Sequence, residues 1–216
     1  MYSRHDQAWL SGAGWAAVLD GAPPAHTPAL EQWRRHDWPL IVTRRTPDAA
    51  PGAVCLGLAP PPEAGRKLRI ALQVDEQSLA RVENALTLRA AAGAAPARWA
   101  APLATLLADA GSITLRAYGS LALQAVTSLT YLTESSDLDL LFTPASLHEL
   151  DAGMELLQAH AHRLPLDGEI VFPGGAAVAW TEWRDAAAAG AGARVLVKDA
   201  GSVRLATRAS LRELLA

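Results

Sequence analysis

Two short motifs in this chain carry residue types that can act on phosphate. Gly119-Ser120 is followed, seventeen residues after the serine, by Asp137-Leu138-Asp139 inside Ser135-Ser136-Asp137-Leu138-Asp139-Leu140-Leu141-Phe142. Side chains on a strand alternate faces, so this spacing predicts that Asp137 and Asp139 point the same way, about 7 Å apart. Leu138 and Leu140 then fill the buried face. Two carboxylates side by side on an apolar strand repel each other unless a positive charge stands between them. Magnesium suits such a pair, because it takes carboxylate oxygens and keeps positions open for phosphate oxygens. Gly119 lets the backbone approach a phosphate closely, and Ser120 offers a hydroxyl donor. A D-x-D pair alone is most often a solvated strand face. An apolar strand ending in Gly-Ser, then a helix, then D-x-D, points instead to metal-assisted phosphoryl or nucleotidyl transfer.

That chemistry calls for a third carboxylate from a neighbouring strand, so that two ions are held roughly 4 Å apart. Asp167 is the first candidate, against the plainer reading that Asp167-Gly168 is a turn, and Glu169 on the same face is the alternate. Lys198 ends an apolar strand and is placed to reach a triphosphate; otherwise it is a lysine snorkelling at the surface. Other chemistries find less support. His160 and His162 do not share a helix face, and neither an H-E-x-x-H nor a Walker A sequence occurs. The glycines near 174 and 190 lack the strand and helix context of a dinucleotide site. Cys55, between Val54 and Leu56, reads as a small buried hydrophobe.

The elements that must position these residues fall into two parts, 1–78 and 79–216. In the first, the spacing predicts a short helix or two over Asp6 to Leu19, and strands over 39–45, 54–58 and 68–74. The prolines between Ala59 and Gly65 form a loop. Arg44, Arg45, Arg66 and Lys67 cluster near loop ends. Helices are expected over 78–91, 102–110 and 121–129, with a strand over 113–118 and Gly119-Ser120 as a turn. A longer helix follows the D-x-D strand, capped by Thr143 with Pro144 or by Ser146 with Glu149. Residues 167–172 and 177–180 read as a hairpin, as do 195–198 and 203–205. Ser210 with Glu213 is expected to cap a last short helix. The fold class is α+β: a mixed sheet with flanking helices, preceded by a small α+β domain.

Half of the residues are hydrophobic and 19% are charged, which fits a folded chain rather than a disordered one. A net charge of -3 offers no electrostatic footprint for DNA or an anionic membrane. No apolar run is long enough to span a bilayer, and the polar start Met1 to Asp6 does not resemble a signal peptide. A single cysteine excludes an internal disulfide framework, so a cytoplasmic setting is expected.

Several stretches together resemble a known family. Tyr118-Gly119-Ser120-Leu121-Ala122, Ser136 to Leu141, Leu166-Asp167-Gly168-Glu169 and Ala177 to Glu182 are similar to the phosphoribosyl-dephospho-CoA transferases of malonate decarboxylase, or holo-acyl-carrier-protein synthases. These belong to the nucleotidyltransferase-like superfamily. The likeness extends through Arg4-His5-Asp6, Pro39 to Arg45 and Gly65 to Ile70, and so covers nearly the whole chain. It implies a nucleotidyltransferase-like fold and transfer of a prosthetic group from triphosphoribosyl-dephospho-CoA to a serine of the apo acyl carrier protein, with pyrophosphate leaving. It also implies a metal-binding catalytic role for Asp137 and Asp139, with Mg2+ or Mn2+, and a phosphate-contacting role for Gly119 and Ser120. The spacing between Gly-Ser and the aspartates is longer than usual in the superfamily, so an extension is expected there. Arg45 and Lys67 are assigned to substrate phosphates or to the carrier protein as a hypothesis. Two other readings stay open: a nucleotidyltransferase using an ordinary nucleoside triphosphate, and a non-catalytic carrier-protein-binding module.

Overall fold

The computed structural model describes residues 2–63, 66, 68–190 and 192–216, so Lys67 lies outside the described residues. The structure is α+β and divides into two compact units, Met1–Ala85 and Leu86–Ala216.

The first unit contains β1 (Gln7–Leu10), α1 (Gly12–Asp20), α2 (Thr27–His36), β2 (Leu40–Val42), β3 (Ala53–Leu58), β4 (Ile70–Asp75) and β5 (Leu79–Glu83). The strands form an antiparallel sheet in the order β4-β3-β2-β1-β5. Two sequence expectations are corrected here. Residues Gln7–Leu10 are a strand rather than the start of a helix, because all four are buried between β2 and β5. Helix α1 starts only after Ser11, whose hydroxyl accepts from the Gly14 N–H. The helix expected over 78–91 is also replaced: Leu79–Glu83 pairs with β1 as an edge strand. Leu30, Trp33, Leu40, Leu56, Leu58 and Ile70 fill this unit's core.

The second unit contains α3 (Leu88–Ala91), α4 (Ala97–Asp109), β6 (Leu115–Ala117), α5 (Gly119–Thr127), β7 (Leu138–Phe142) and α6 (Leu147–His160). It continues through β8 (Leu166–Val171), β9 (Ala177–Ala179), α7 (Trp180–Ala188), β10 (Arg194–Lys198), β11 (Val203–Thr207) and α8 (Arg208–Arg212). Its sheet has the order β11-β10-β9-β8-β7-β6. Only the β7–β8 pair among the described strands is parallel, with α6 as the crossover.

Helix boundaries differ from expectation where caps and packing outweigh local punctuation. Helix α4 runs through Pro102, because Trp99, Leu103 and Leu106 bring one face into the core. Ser146 caps α6 by accepting from the Glu149 N–H, and the Glu149 carboxylate accepts from the Ala145 N–H at 2.8 Å. Thr143 and Pro144 therefore do not start it. Thr207 caps α8, and Ser210 is a helical residue whose N–H donates to the Thr207 hydroxyl.

Strand alternation gives the sheet two unlike faces. Leu138, Leu140, Phe142, Ile170, Val178, Val195 and Val197 are buried in one cluster with Leu103 and Leu106 of α4 and Leu150, Met154 and Leu157 of α6. Phe142 lies so close to Gly153 of α6 that a Cβ there would overlap its ring. The residues between these turn to the opposite face, and they include Asp139, Asp167, Glu169 and Lys198. No helix among the described residues is long and apolar enough to cross a membrane.

Candidate active site

Antiparallel pairing closes the distance that the sequence opens between the two motifs. Strand β6 pairs with β7 so that Ala117 lies opposite Leu140, and the next residue, Tyr118, donates its N–H to the Asp139 carbonyl at 3.1 Å. Gly119 follows as the first residue of α5, so Gly119-Ser120 opens the helix rather than forming a turn before it. Its φ is +64°, and a Cβ at this position would overlap the Asp139 carboxylate. Glycine is required twice over, for a left-handed backbone and for the carboxylate to lie against it. The N-terminus of α5, whose first amides have no partner within the helix, thus opens beside Asp139.

The connection between the two motifs is α5 plus residues 128–137. Gln124 ties it down. Its amide oxygen accepts from the N–H groups of Tyr131 (3.0 Å) and Leu132 (3.1 Å), and its nitrogen donates to the Ala94 carbonyl at 2.7 Å. Burial pushes the Tyr131 hydroxyl well above its ordinary pKa, so it stays neutral. A turn then precedes Asp137: Thr133 donates its N–H to the Ser136 hydroxyl at 2.9 Å, and Arg98 donates to the Thr133 carbonyl at 2.8 Å. Sequence reading passed over Gln124, although one amide within the apolar run Leu121 to Val126 was the available signal.

The aspartates are placed unequally. Asp139 is half-buried within β7, whereas Asp137 is exposed and immediately precedes the strand. In the parallel ladder Asp139 stands directly opposite Asp167. Neighbouring strands lie about 4.8 Å apart, so these two carboxylates rise side by side from one face. Asp167 is not in a turn. Gly168 continues β8 at a φ of +133°, pressed so close to Leu140 that a Cβ would overlap its backbone, and the Gly168 N–H donates to Asp167 Oδ1 at 2.7 Å. Among the described residues, no group of three or more His, Cys, Asp or Glu side chains is gathered as a metal site. What the register brings together is a pair, Asp139 and Asp167, with Asp137 at its end. Such a pair fits magnesium, which is commonly held by one or two carboxylates with substrate phosphates completing its shell.

Glu169 lies two residues beyond Asp167 and is 5% exposed. Its Oε1 accepts from Lys198 Nζ at 2.9 Å. Arg45 belongs to the first unit, where its guanidinium donates to the carbonyls of Ala49 (2.9 Å) and Ala50 (2.7 Å) and so braces its own loop. His160 is buried and bonds Asp109 through Nε2 at 3.0 Å, as a core histidine.

Comparison with known proteins covers both units. Residues 3–85 match the family described as phosphoribosyl-dephospho-CoA transferase MdcG N-terminal domain, and residues 85–209 match its C-terminal domain. A phosphoribosyl-dephospho-CoA transferase of Xanthomonas euvesicatoria pv. vesicatoria is 40% identical over 216 residues, covering 98% of this chain and 97% of the relative. One of the same name from Bradyrhizobium diazoefficiens is 41% identical over 184 residues, covering 83% of this chain and 80% of the relative. No solved structure matches the chain.

Proposed function

Because this chain belongs to the phosphoribosyl-dephospho-CoA transferase family and is a transferase, we propose that its acceptor is a serine of the apo acyl carrier protein of malonate decarboxylase, with pyrophosphate as the second product. The donor is triphosphoribosyl-dephospho-CoA. The serine oxygen attacks the phosphorus next to the ribose, and the bond from that phosphorus to the bridging oxygen of the outer phosphates breaks. The serine proton passes to a carboxylate of the site, and the prosthetic group remains joined through a phosphodiester.

The observation that carries this reading is the Asp139–Asp167 pair standing in register beside the glycine that opens α5. Asp139 and Asp167, with Asp137 at the edge, hold a divalent cation, Mg2+ or Mn2+. When bound, that cation offsets the negative charge on the attacking and leaving oxygens. Gly119 and Ser120 receive a phosphate at the α5 N-terminus through backbone N–H groups and a hydroxyl. Lys198 meets the outer phosphates. Arg45 and Lys67 remain candidates for contacting the donor or the carrier protein from the first unit. We place the reaction in the cytoplasm, in keeping with a single buried thiol, Cys55.

Mass spectrometry of the apo carrier protein, after incubation with the donor and magnesium, tests the proposal. A mass gain equal to the donor less pyrophosphate is expected. No gain, or label arriving from ATP instead, overturns it.

A further inference from the structure

The chemistry above leaves Glu169 without a task, yet it is a charged side chain buried beside the site, 6% exposed. An ionised carboxylate with so little water needs a charged partner, since taking an ion out of water is costly. The Lys198 ammonium, 38% exposed, is that partner at 2.9 Å. How it gets there follows from the register. Val171 of β8 pairs with Ala177 of β9, which pairs with Lys198 of β10. The Lys198 backbone thus stands level with Val171, two strands from β8 and four residues along from Asp167. Two strand spacings are about 10 Å and four residues about 13 Å, beyond the combined reach of the two side chains. Glu169 lies two residues back toward Asp167. On β9 this face carries only Ala177 and Ala179, so nothing bulky blocks a lysine laid across it.

We propose that Glu169 is a positioning residue: it draws the Lys198 ammonium back along the sheet face until its charge lies within one polyphosphate length of the Asp139–Asp167 pair. One of the ammonium's three donors is used by Glu169 and the others serve the outer phosphates of the substrate. Holding the long side chain in advance removes a rotamer-entropy cost from binding. Glu169 is therefore not the third metal ligand of this site. The inference rests on the transferase reading for the identity of the polyphosphate, but not for its test.

The test is a double-mutant cycle read by calorimetric titration with inorganic pyrophosphate, using the full chain as wild type, E169Q, K198M and E169Q/K198M. E169Q is expected to weaken pyrophosphate binding about fivefold to tenfold, the size of one net hydrogen bond. The double variant should bind no more weakly than K198M alone, because Glu169 acts through Lys198. K198M should melt lower than wild type, because the buried Glu169 carboxylate loses its ammonium partner, and the double variant should recover that loss without recovering affinity. Affinity that is unchanged or tighter in E169Q overturns the proposal, since removing a negative charge would then outweigh the lost positioning. Additive losses overturn it too, by giving Glu169 a contact of its own. A double variant that regains affinity with its melting temperature reduces the pair to a structural role. Failure of the wild type to modify the carrier protein would instead count against the transferase reading and leave this cycle standing.

Discussion

At Gly119 a single hydrogen separates the backbone from the Asp139 carboxylate, which makes this glycine the most exacting residue of the site. Gly119→Ala must either push the carboxylate away from Asp167 or move the start of α5, and its left-handed φ adds strain. Displacement of a reacting group by about 1 Å can cost about a hundredfold in rate. A loss of that size in prosthetic-group transfer is expected, with the protein still folded by circular dichroism; full activity would separate Gly119 from the site. Asp139→Asn should remove transfer by about a hundredfold or more, as loss of a group that stabilises transition-state charge does. Asp137→Asn, at an exposed position before the strand, should cost less than Asp139→Asn. Equal losses would place both in the metal shell on the same footing. Residue types were enough to name Gly119, Asp139 and Asp167 as candidates, but the sequence paired Asp139 with Asp137, and only the β7–β8 register sets it opposite Asp167. Gln124 and the Glu169–Lys198 pair were less legible. Their partners come from segments at least seven positions away, and only the folded register shows who meets whom.

At the level of elements, the strands of the second unit were readable from alternation, while β1, β5 and several helix starts were not. Leu79–Glu83 carries no strong apolar alternation and becomes a strand only because β1 offers an edge. Helix α6 matters most for the site, since it connects β7 to β8 and so sets the pairing that places Asp139 beside Asp167. Its close approach at Gly153 has no slack. Gly153→Ala is expected to destabilise the protein by about 1–3 kcal/mol through overpacking against Phe142, measured by urea unfolding. No change would mean that the helix can lift without loss. Helix α8 is tied to α6 by Arg212, whose Nη1 and Nη2 donate to Asp151 Oδ1 and Oδ2 at 2.7 and 3.2 Å. The Arg212 hydrogen bonds hold the Asp151 carboxyl below its usual range, against a smaller effect of burial. A depressed carboxyl contributes stability that is fully present above its unfolded value, near pH 4, and is lost as pH falls through the folded value. Both side chains are partly exposed, so the pair is worth no more than about 1 kcal/mol. Arg212→Ala should therefore melt slightly below wild type at neutral pH, and the difference should close on acidification below about pH 4. A gap that persists in acid would assign the loss to packing of the arginine stem instead.

At the scale of the whole molecule, two hydrophobic clusters share no residue. One is built on Leu30, Trp33, Leu56 and Ile70, and the other on Leu106, Phe142, Leu150, Ile170 and Val197. Their separation coincides with the change from one matched family domain to the next at residue 85. Each unit closes its own sheet, and the residues proposed to hold cation and pyrophosphate all lie in the second. A domain with its own core and sheet can fold alone. Residues 86–216 expressed separately should then melt in one cooperative transition and bind inorganic pyrophosphate with an affinity within about threefold of the full chain, a difference below 1 kcal/mol. Transfer to the carrier protein should be measured on the same fragment. Retained pyrophosphate binding with lost transfer would assign donor or acceptor recognition to the first unit and bring Arg45 and Lys67 back into the reaction. A fragment that folds but no longer binds pyrophosphate would show that the polyphosphate site draws on the first unit as well, against the self-contained site argued from the register of β7, β8 and β10.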